Sequence, residues 1–99
     1  MNVFNLVASI TERSLVRYTP AGVPVLQLQL SHSGEVMEAG KSRQVEFEIQ
    51  ALALGDTALS LDRSALGETL LFSGFMAKKT RNSKNLQFHI SGFGLSKTE

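Results

Sequence analysis

The segment from Arg17 to Leu30 constrains the fold most, because it joins a turn to a strand that alternates between two faces. Pro20 and Gly22 predict a tight turn, since proline presets φ and glycine accepts a positive φ without steric cost. Leucines and glutamines then alternate from Leu26 to Leu30, which is the period-two pattern of a strand with one dry and one wet face. We therefore expect a hairpin in a β-rich domain.

The rest of the chain contains four more alternating segments, at residues 3–13, 43–54, 69–79 and 86–93. On the last of these we expect Leu86, Phe88 and Ile90 to face inward. Gly74 lies in the middle of the fourth predicted strand, where it indicates a bend of the kind that a small barrel needs. The sequence therefore predicts five strands.

Two connections complete this pattern. Asp56 is a candidate N-cap for one or two helical turns over residues 57–63. The segment from Ser31 to Ser42 is polar, contains two glycines and lacks periodicity, so we predict a mobile loop there. Five strands with one short helix after the third is the order of an all-β, five-stranded OB-fold barrel.

Composition is consistent with one OB-fold domain over residues 1–99, because 42% of the residues are hydrophobic and 19% are charged. The absence of cysteine excludes disulfides and thiolate chemistry. An apolar run from Val3 to Ile10 is too short to span a membrane and follows no basic segment, so we expect a cytoplasmic protein without membrane contacts. The net charge of +1 means that any affinity for nucleic acid depends on where the charges lie.

A cluster of positive charge lies between the last two predicted strands. It consists of Lys78, Lys79, Arg81 and Lys84, four cations within seven residues. An OB barrel presents its corresponding loop to the ligand, where cations bind backbone phosphates. A solvated turn that keeps a hairpin soluble would show the same composition.

Exposed aromatic side chains can stack on nucleic-acid bases. Tyr18 beside the turn and Phe75 on the mixed face of its strand are the candidates, whereas Phe47 and Phe88 lie on apolar faces and are predicted to be core residues. Arg17 is a candidate to extend the positive track, and an ordinary surface arginine is an equally good interpretation.

Several of these segments together resemble the bacterial single-stranded-DNA-binding protein family. They are the Arg-Tyr-Thr-Pro-x-Gly-x-x-Val motif that begins at Arg17, the strand from Arg43, the strand through Gly74 and the basic loop before the last strand. The larger members continue into a flexible tail with an acidic, aromatic-ended tip. The present sequence ends at Glu99 and is more similar to the shorter primosomal replication protein N (PriB) branch.

The resemblance implies a homodimer that binds single-stranded DNA during replication restart, without catalysis or a cofactor. Its implied partners are a replication-restart helicase and the helicase-loading proteins. Val3 and Val7 on the first strand offer surface for the dimer, and packing under a loop is an equally good interpretation of them. The sequence departs from the branch on the middle strand, where a tryptophan can face DNA, because this chain has no tryptophan and shows Glu46 and Glu48 on that wet face.

Other classes of function stay open. One is an OB-fold module whose main ligand is protein, and a second is an RNA-binding domain, because stacking and phosphate contacts do not distinguish the two sugars. Enzymatic interpretations are poor. His32 and His89 stand apart, without metal-ligand spacing, and are predicted to be a loop residue and a wet-face strand residue.

Overall fold

The computed structural model of the protein describes residues 1–96. Its elements in chain order are β1 (Phe4–Arg13), β2 (Arg17–Tyr18), β3 (Pro24–Glu38), β4 (Lys41–Leu54), α1 (Asp56–Asp62), β5 (Thr69–Lys78) and β6 (Leu86–Leu95). Five of the strands are long, and β2 is a two-residue bridge onto the start of β3. The helix follows the third long strand, as the sequence predicted.

The five long strands close into a barrel. They are hydrogen-bonded in the order β1-β5-β6-β4-β3, and an additional β1–β3 pairing joins the two ends of the sheet. The β4–β6 pair is parallel, and the other pairs are antiparallel. This confirms the predicted all-β OB-fold with one short helix.

The dry faces of the strands fill the barrel. Leu26, Leu28 and Leu30 are buried as the alternation predicted, and Phe72 and Phe88 are the largest fully buried side chains. The remaining buried hydrophobic residues that pack with them are Ala8, Ile10, Ala51, Ala53, Ala58, Leu61, Leu70 and Ile90.

The helix α1 covers one part of this core through Ala58 and Leu61. It begins at Asp56 with Gly55 as its N-cap, so the predicted role of Asp56 as the N-cap was wrong. Arg13 of β1 fixes the far end of the helix by donating to the carbonyl oxygen of Leu61 at 3.1 Å. Within residues 1–96 no helix is both long enough and apolar enough to cross a membrane.

The predicted loop from Ser31 to Ser42 was wrong. Strands β3 and β4 stay in register from the Ser31–Glu48 pair to the Glu38–Lys41 pair. The two residues between them, Ala39 and Gly40, have φ values of 53° and 79°. Positive φ at both central positions is typical of the type I′ turn of a two-residue hairpin. We call residues 31–48 the β3–β4 ribbon.

The exposure of the ribbon tip explains why hydrophobic alternation did not indicate strands there. Alternation of apolar and polar residues marks a strand that buries one face. Val36 and Met37 near the ribbon tip are 51% and 72% exposed, so neither face of the tip is buried. Cross-strand hydrogen bonds and the turn therefore hold the ribbon.

Three further side-chain placements differ from the predictions. Phe47 lies on the ribbon beyond the core and is 40% exposed, with its ring centroid 5.1 Å from that of His32. His32 is a strand residue rather than a loop residue, and its Nδ1 lies 2.6 Å from the carbonyl oxygen of Val7. Leu86 is exposed at the first position of β6, whereas Phe88 and Ile90 are buried as predicted.

The two glycines singled out in the sequence have different roles. Gly22 has a φ of 85°, and its N–H donates to the carbonyl oxygen of Thr19 at 2.8 Å, which confirms the predicted turn. Gly74 lies where the β5–β6 register shifts, and it packs directly against the backbone of His89 and Ile90. Gly22 therefore meets a conformational requirement, and Gly74 meets a steric one.

Candidate nucleic-acid interface

The loop between β5 and β6 carries the predicted cation cluster, and we call residues 78–85 the basic loop. The backbone N–H of Lys79 donates to the carbonyl oxygen of Asn85 at 2.9 Å, and that of Ser83 donates to Thr80 at 3.1 Å. These bonds close the loop without using the charged side chains. The charged residues are all exposed: Lys78, Lys79, Arg81 and Lys84.

These cations are available to an anionic ligand. The ion pairs in the described part of the chain are Arg13 with Asp62 and Arg43 with Glu38, so none of the four basic-loop cations is paired there. A phosphate that approaches the basic loop therefore competes with water and counterions rather than with a protein carboxylate.

A cleft of about 300 Å³ opens beside the basic loop, and Lys79 forms part of its wall. The cleft is bounded by the end of β1, the wet faces of β3 and β4, and the start of β6. Four of its lining residues are glutamines, so we call it the glutamine cleft: Gln27, Gln29, Gln50 and Gln87.

The pairing of β3 with β4 explains how these amides come together. Gln27 and Gln29 lie on the wet face that the leucine alternation defines. Gln29 is directly opposite Gln50 across the β3–β4 pair, so both side chains project from the same face. The start of β6 brings Gln87 beside them, because Phe88 pairs with Ala51. Sequence reasoning missed this group, although the wet-face glutamines were visible.

The predicted stacking residues lie outside the glutamine cleft. Tyr18 is 64% exposed on β2, beside the exposed Arg17, where β2 pairs with the first residues of β3. Phe75 is 41% exposed on β5, and its ring stacks on His89 with centroids 4.8 Å apart and planes inclined by 17°. Lys79 is therefore the only one of the seven predicted site residues that lines the cleft within the described chain.

Glu12 lines the glutamine cleft, and two further carboxylates lie on the neighbouring ribbon. Glu46 and Glu48 are exposed on the wet face of the ribbon, as the alternation predicted. The Oε1 atom of Glu48 accepts a hydrogen bond from Nε2 of Gln29 at 3.0 Å, so this carboxylate borders the glutamine cleft. A strand of nucleic acid in the cleft would pass near a negative charge there.

The histidines have structural partners. His32 binds the carbonyl oxygen of Val7, and His89 stacks on Phe75. Across residues 1–96 no three histidine, aspartate or glutamate side chains are grouped as a metal site would require.

Comparisons with known proteins agree with this geometry. A model described as another single-strand binding protein family matches residues 2–92. The replication restart protein PriB of Bordetella pertussis is 43% identical over 90 residues, which cover 91% of this chain and 84% of that protein. PriB of Nitrosomonas europaea is 40% identical over 82 residues, with 83% of this chain and 76% of that protein covered.

Solved structures give the same result. The structure of PriB from Ralstonia solanacearum superposes with a TM-score of 0.87 at 50% identity, covering 96% of this chain and 97% of that one. The single-stranded DNA binding protein from Thermus aquaticus superposes with a TM-score of 0.76 at 22% identity over 98% of this chain and 50% of that one, a likeness of fold alone. The chain therefore belongs to the single-strand binding protein family and, within it, to the replication restart proteins of the PriB family.

Proposed function

We propose that this protein binds single-stranded DNA as an accessory of replication restart in the cytoplasm. In this role it stabilises a helicase on DNA and helps to recruit the helicase-loading proteins. The observation that carries the proposal is the basic loop, with four exposed and unpaired cations in the described chain, at the edge of a cleft in an OB barrel. The similarity to replication restart proteins PriB supports the cellular role.

The basic loop would supply most of the affinity. Lys78, Lys79, Arg81 and Lys84 bind backbone phosphates, and each neutralised phosphate releases condensed counterions. For about three or four phosphates on a single strand, the log-log dependence of affinity on salt has a slope of about −2 to −3.

Aromatic stacking would supply the rest of the affinity without selecting a sequence. The exposed rings of Tyr18 and Phe75 each offer a surface on which stacking is worth about 1 to 3 kcal/mol per base. Arg17 beside Tyr18 would add a phosphate contact. Because Tyr18 and Phe75 lie outside the cleft, the strand would follow a path over the barrel surface rather than end in one pocket.

The first strand provides the surface for a homodimer. One edge of β1 pairs with β5 from Phe4 to Ser9, but β3 pairs with the other edge only from Ser9 onward. Within residues 1–96 the second edge of Phe4–Ala8 thus has no strand beside it, although His32 already binds the carbonyl oxygen of Val7 on that edge. An open strand edge is a template for pairing with another chain. Val3 and Val7, 63% and 37% exposed, would be covered by the second copy.

Replacing Val7 with aspartate tests this dimer. In a dimer built on β1, two added carboxylates face one another, so we expect Val7→Asp to be a monomer at concentrations where the wild type is a dimer. Sedimentation equilibrium measures the mass. The matched control is Val36→Asp near the ribbon tip, which should leave the dimer intact. A dimeric Val7→Asp variant would exclude this edge as the interface.

A second candidate function rests on the acidic residues of the ribbon. Glu46 and Glu48 repel phosphates from a surface that an OB-fold DNA-binding protein would offer to its strand. In this alternative the protein is an OB-fold protein-interaction module, with weak or RNA-directed nucleic-acid binding. Its effect on a helicase would then survive neutralisation of the basic loop.

A fork-unwinding assay separates the two candidates. A replication-restart helicase unwinds a labelled DNA fork with and without this protein, and with the variant that carries alanine at all four basic-loop cations. We expect the wild type to increase the fraction unwound severalfold and the variant to lose most of this effect. Equal stimulation by both proteins would favour the interaction module, and no stimulation by either would contradict the role in restart.

A further inference from the structure

The side chain of Gln87 has no protein partner although it is buried. Gln87 lies on β6 and is only 6% exposed as a residue, and no hydrogen bond joins its amide to another of residues 1–96. The amide atoms still reach solvent, because within residues 1–96 the buried side-chain polar atom without a partner is Oγ of Ser96. Water can therefore satisfy this amide in the free protein, and a ligand that displaces the water has to replace its hydrogen bonds. Gln87 lines the glutamine cleft. Its donor and acceptor are therefore offered to whatever occupies that cleft.

The neighbouring amides extend this surface. In the described chain the side chains of Gln50 and Gln27 also make no hydrogen bond, and both line the same cleft. Gln29 donates to Glu48, which leaves its carbonyl oxygen as an acceptor. Each free amide presents one carbonyl oxygen and one NH₂ group side by side.

A nucleobase has the complementary chemistry. Every base carries donors and acceptors on its edge, and a glutamine amide can bind two of them at once. The cleft volume of about 300 Å³ lies at the lower end of the range for small-ligand sites. Lys79 on the wall of the cleft is a cation for the adjoining phosphate. The wall also holds Arg13, which donates to the end of α1, and the carboxylate of Glu12, which would repel a phosphate. The amides and Lys79 therefore fit one nucleotide whose phosphate lies on the Lys79 side of the cleft.

We propose that the glutamine cleft takes one base of the bound strand and holds its hydrogen-bonding edge with the side-chain amides, Gln87 foremost. This proposal rests on the proposed binding of single-stranded DNA and adds direct contact with base edges to it. Stacking and phosphate contacts need only a π-face and a charge. The cleft adds sensitivity to the hydrogen-bonding groups of the base.

A base without hydrogen-bonding groups tests the contact directly. Difluorotoluene has the shape of thymine but is a very poor donor and acceptor. In the cleft it would leave the Gln87 amide unpaired, and an unpaired buried polar group is penalised more than a missing favourable bond. We expect wild-type protein to bind oligo-dT about five- to tenfold more tightly than the same strand with difluorotoluene in place of thymine.

Variants assign this difference to the cleft. Gln87→Met keeps the length of the side chain and removes the amide, so Gln87→Met combined with Gln50→Met should bind the two strands within about twofold of each other. The matched control is Gln44→Met, a ribbon glutamine that donates to Ser33 and is not part of the cleft wall. This control variant should keep the wild-type difference in affinity between oligo-dT and the difluorotoluene strand.

The outcomes separate the two levels of the proposal. Equal wild-type affinity for both strands would overturn the base contact and leave DNA binding by the basic loop intact. A wild type that binds neither strand would overturn both. A thermal melt shows whether each variant is folded. If the double variant is unfolded, Gln50→Met alone can be used, because Gln50 is exposed and tolerates substitution. It should still reduce the difference in affinity between oligo-dT and the difluorotoluene strand. An unchanged difference in folded variants would also overturn the base contact.

Discussion

Replacing Gly74 with alanine lowers the free energy of unfolding by about 3 kcal/mol. A Cβ at this position would overlap the carbonyl oxygen of His89 and approach Cα of Ile90 to 3.2 Å. Both neighbours are backbone atoms of β6, so no side-chain rotation relieves the overlap. The φ of Gly74 is not in the left-handed region, and the cost is therefore one of space rather than of backbone conformation.

Urea denaturation followed by circular dichroism measures this change. The matched control is Gly92→Ala, a glycine of β6 whose added Cβ would meet nothing within 4 Å. The control should stay within about 0.5 kcal/mol of the wild type. If Gly74→Ala were as stable as Gly92→Ala, β5 and β6 would not approach one another as closely as the structure shows.

Replacing Lys78, Lys79, Arg81 and Lys84 together with alanine weakens binding to single-stranded DNA by at least about tenfold at low salt. The reason is the loss of every cation of the basic loop, each of which would neutralise one phosphate. The slope of log affinity against log salt concentration, about −2 to −3 for the wild type, should also move toward zero. Fluorescence anisotropy of labelled oligo-dT at several salt concentrations gives both quantities.

A single-charge comparison controls for net charge. Lys79→Ala and Arg63→Ala each remove one cation, but Arg63 lies at the end of α1 rather than in the basic loop. The slope should change by about 0.7 for Lys79→Ala and very little for Arg63→Ala. Equal changes would mean that binding responds to the overall charge of the protein, and an unchanged slope in the four-alanine variant would exclude the basic loop.

The barrel was predictable because its strands bury one face. Leu26, Leu28 and Leu30 alternate with polar residues, and this period-two pattern indicates which side enters the core. Gly22 was predictable as a turn residue with positive φ and Gly74 as a bend in its strand, but the close approach of the β6 backbone to Gly74 was not predicted. The basic loop was also visible in the sequence, because a cluster of four cations can be recognised without knowledge of the fold.

The part of the ribbon from Ser31 to Ser42 was not predictable from hydrophobic alternation, although its β4 residues from Arg43 onward were predicted as a strand. Its tip buries neither face, so the pattern that identifies strands is absent where the hairpin extends past the core. Phe47 was misplaced for the same reason, because an apolar position on β4 is a core position only as far as the barrel extends. The Ala39-Gly40 turn was hard to recognise in the sequence, because alanine rarely adopts the positive φ that this turn requires.

The glutamine cleft required the closed barrel. Gln27, Gln29 and Gln50 were predictable as wet-face residues, but Gln87 comes from a distant segment and reaches them only through the parallel β4–β6 pair. That most of its side chain is buried while the amide still reaches solvent is a property of packing. No local sequence pattern around Gln87 indicates that its side chain reaches the other three glutamines.

The most direct test of DNA binding is an anisotropy titration of the wild-type protein with labelled oligo-dT, duplex DNA and RNA of equal length over a series of salt concentrations. We expect oligo-dT to bind more tightly than duplex DNA, with a log-log salt slope of about −2 to −3. No binding of oligo-dT at low salt, or binding that does not depend on salt, would contradict a single-stranded-DNA interface built on the basic loop.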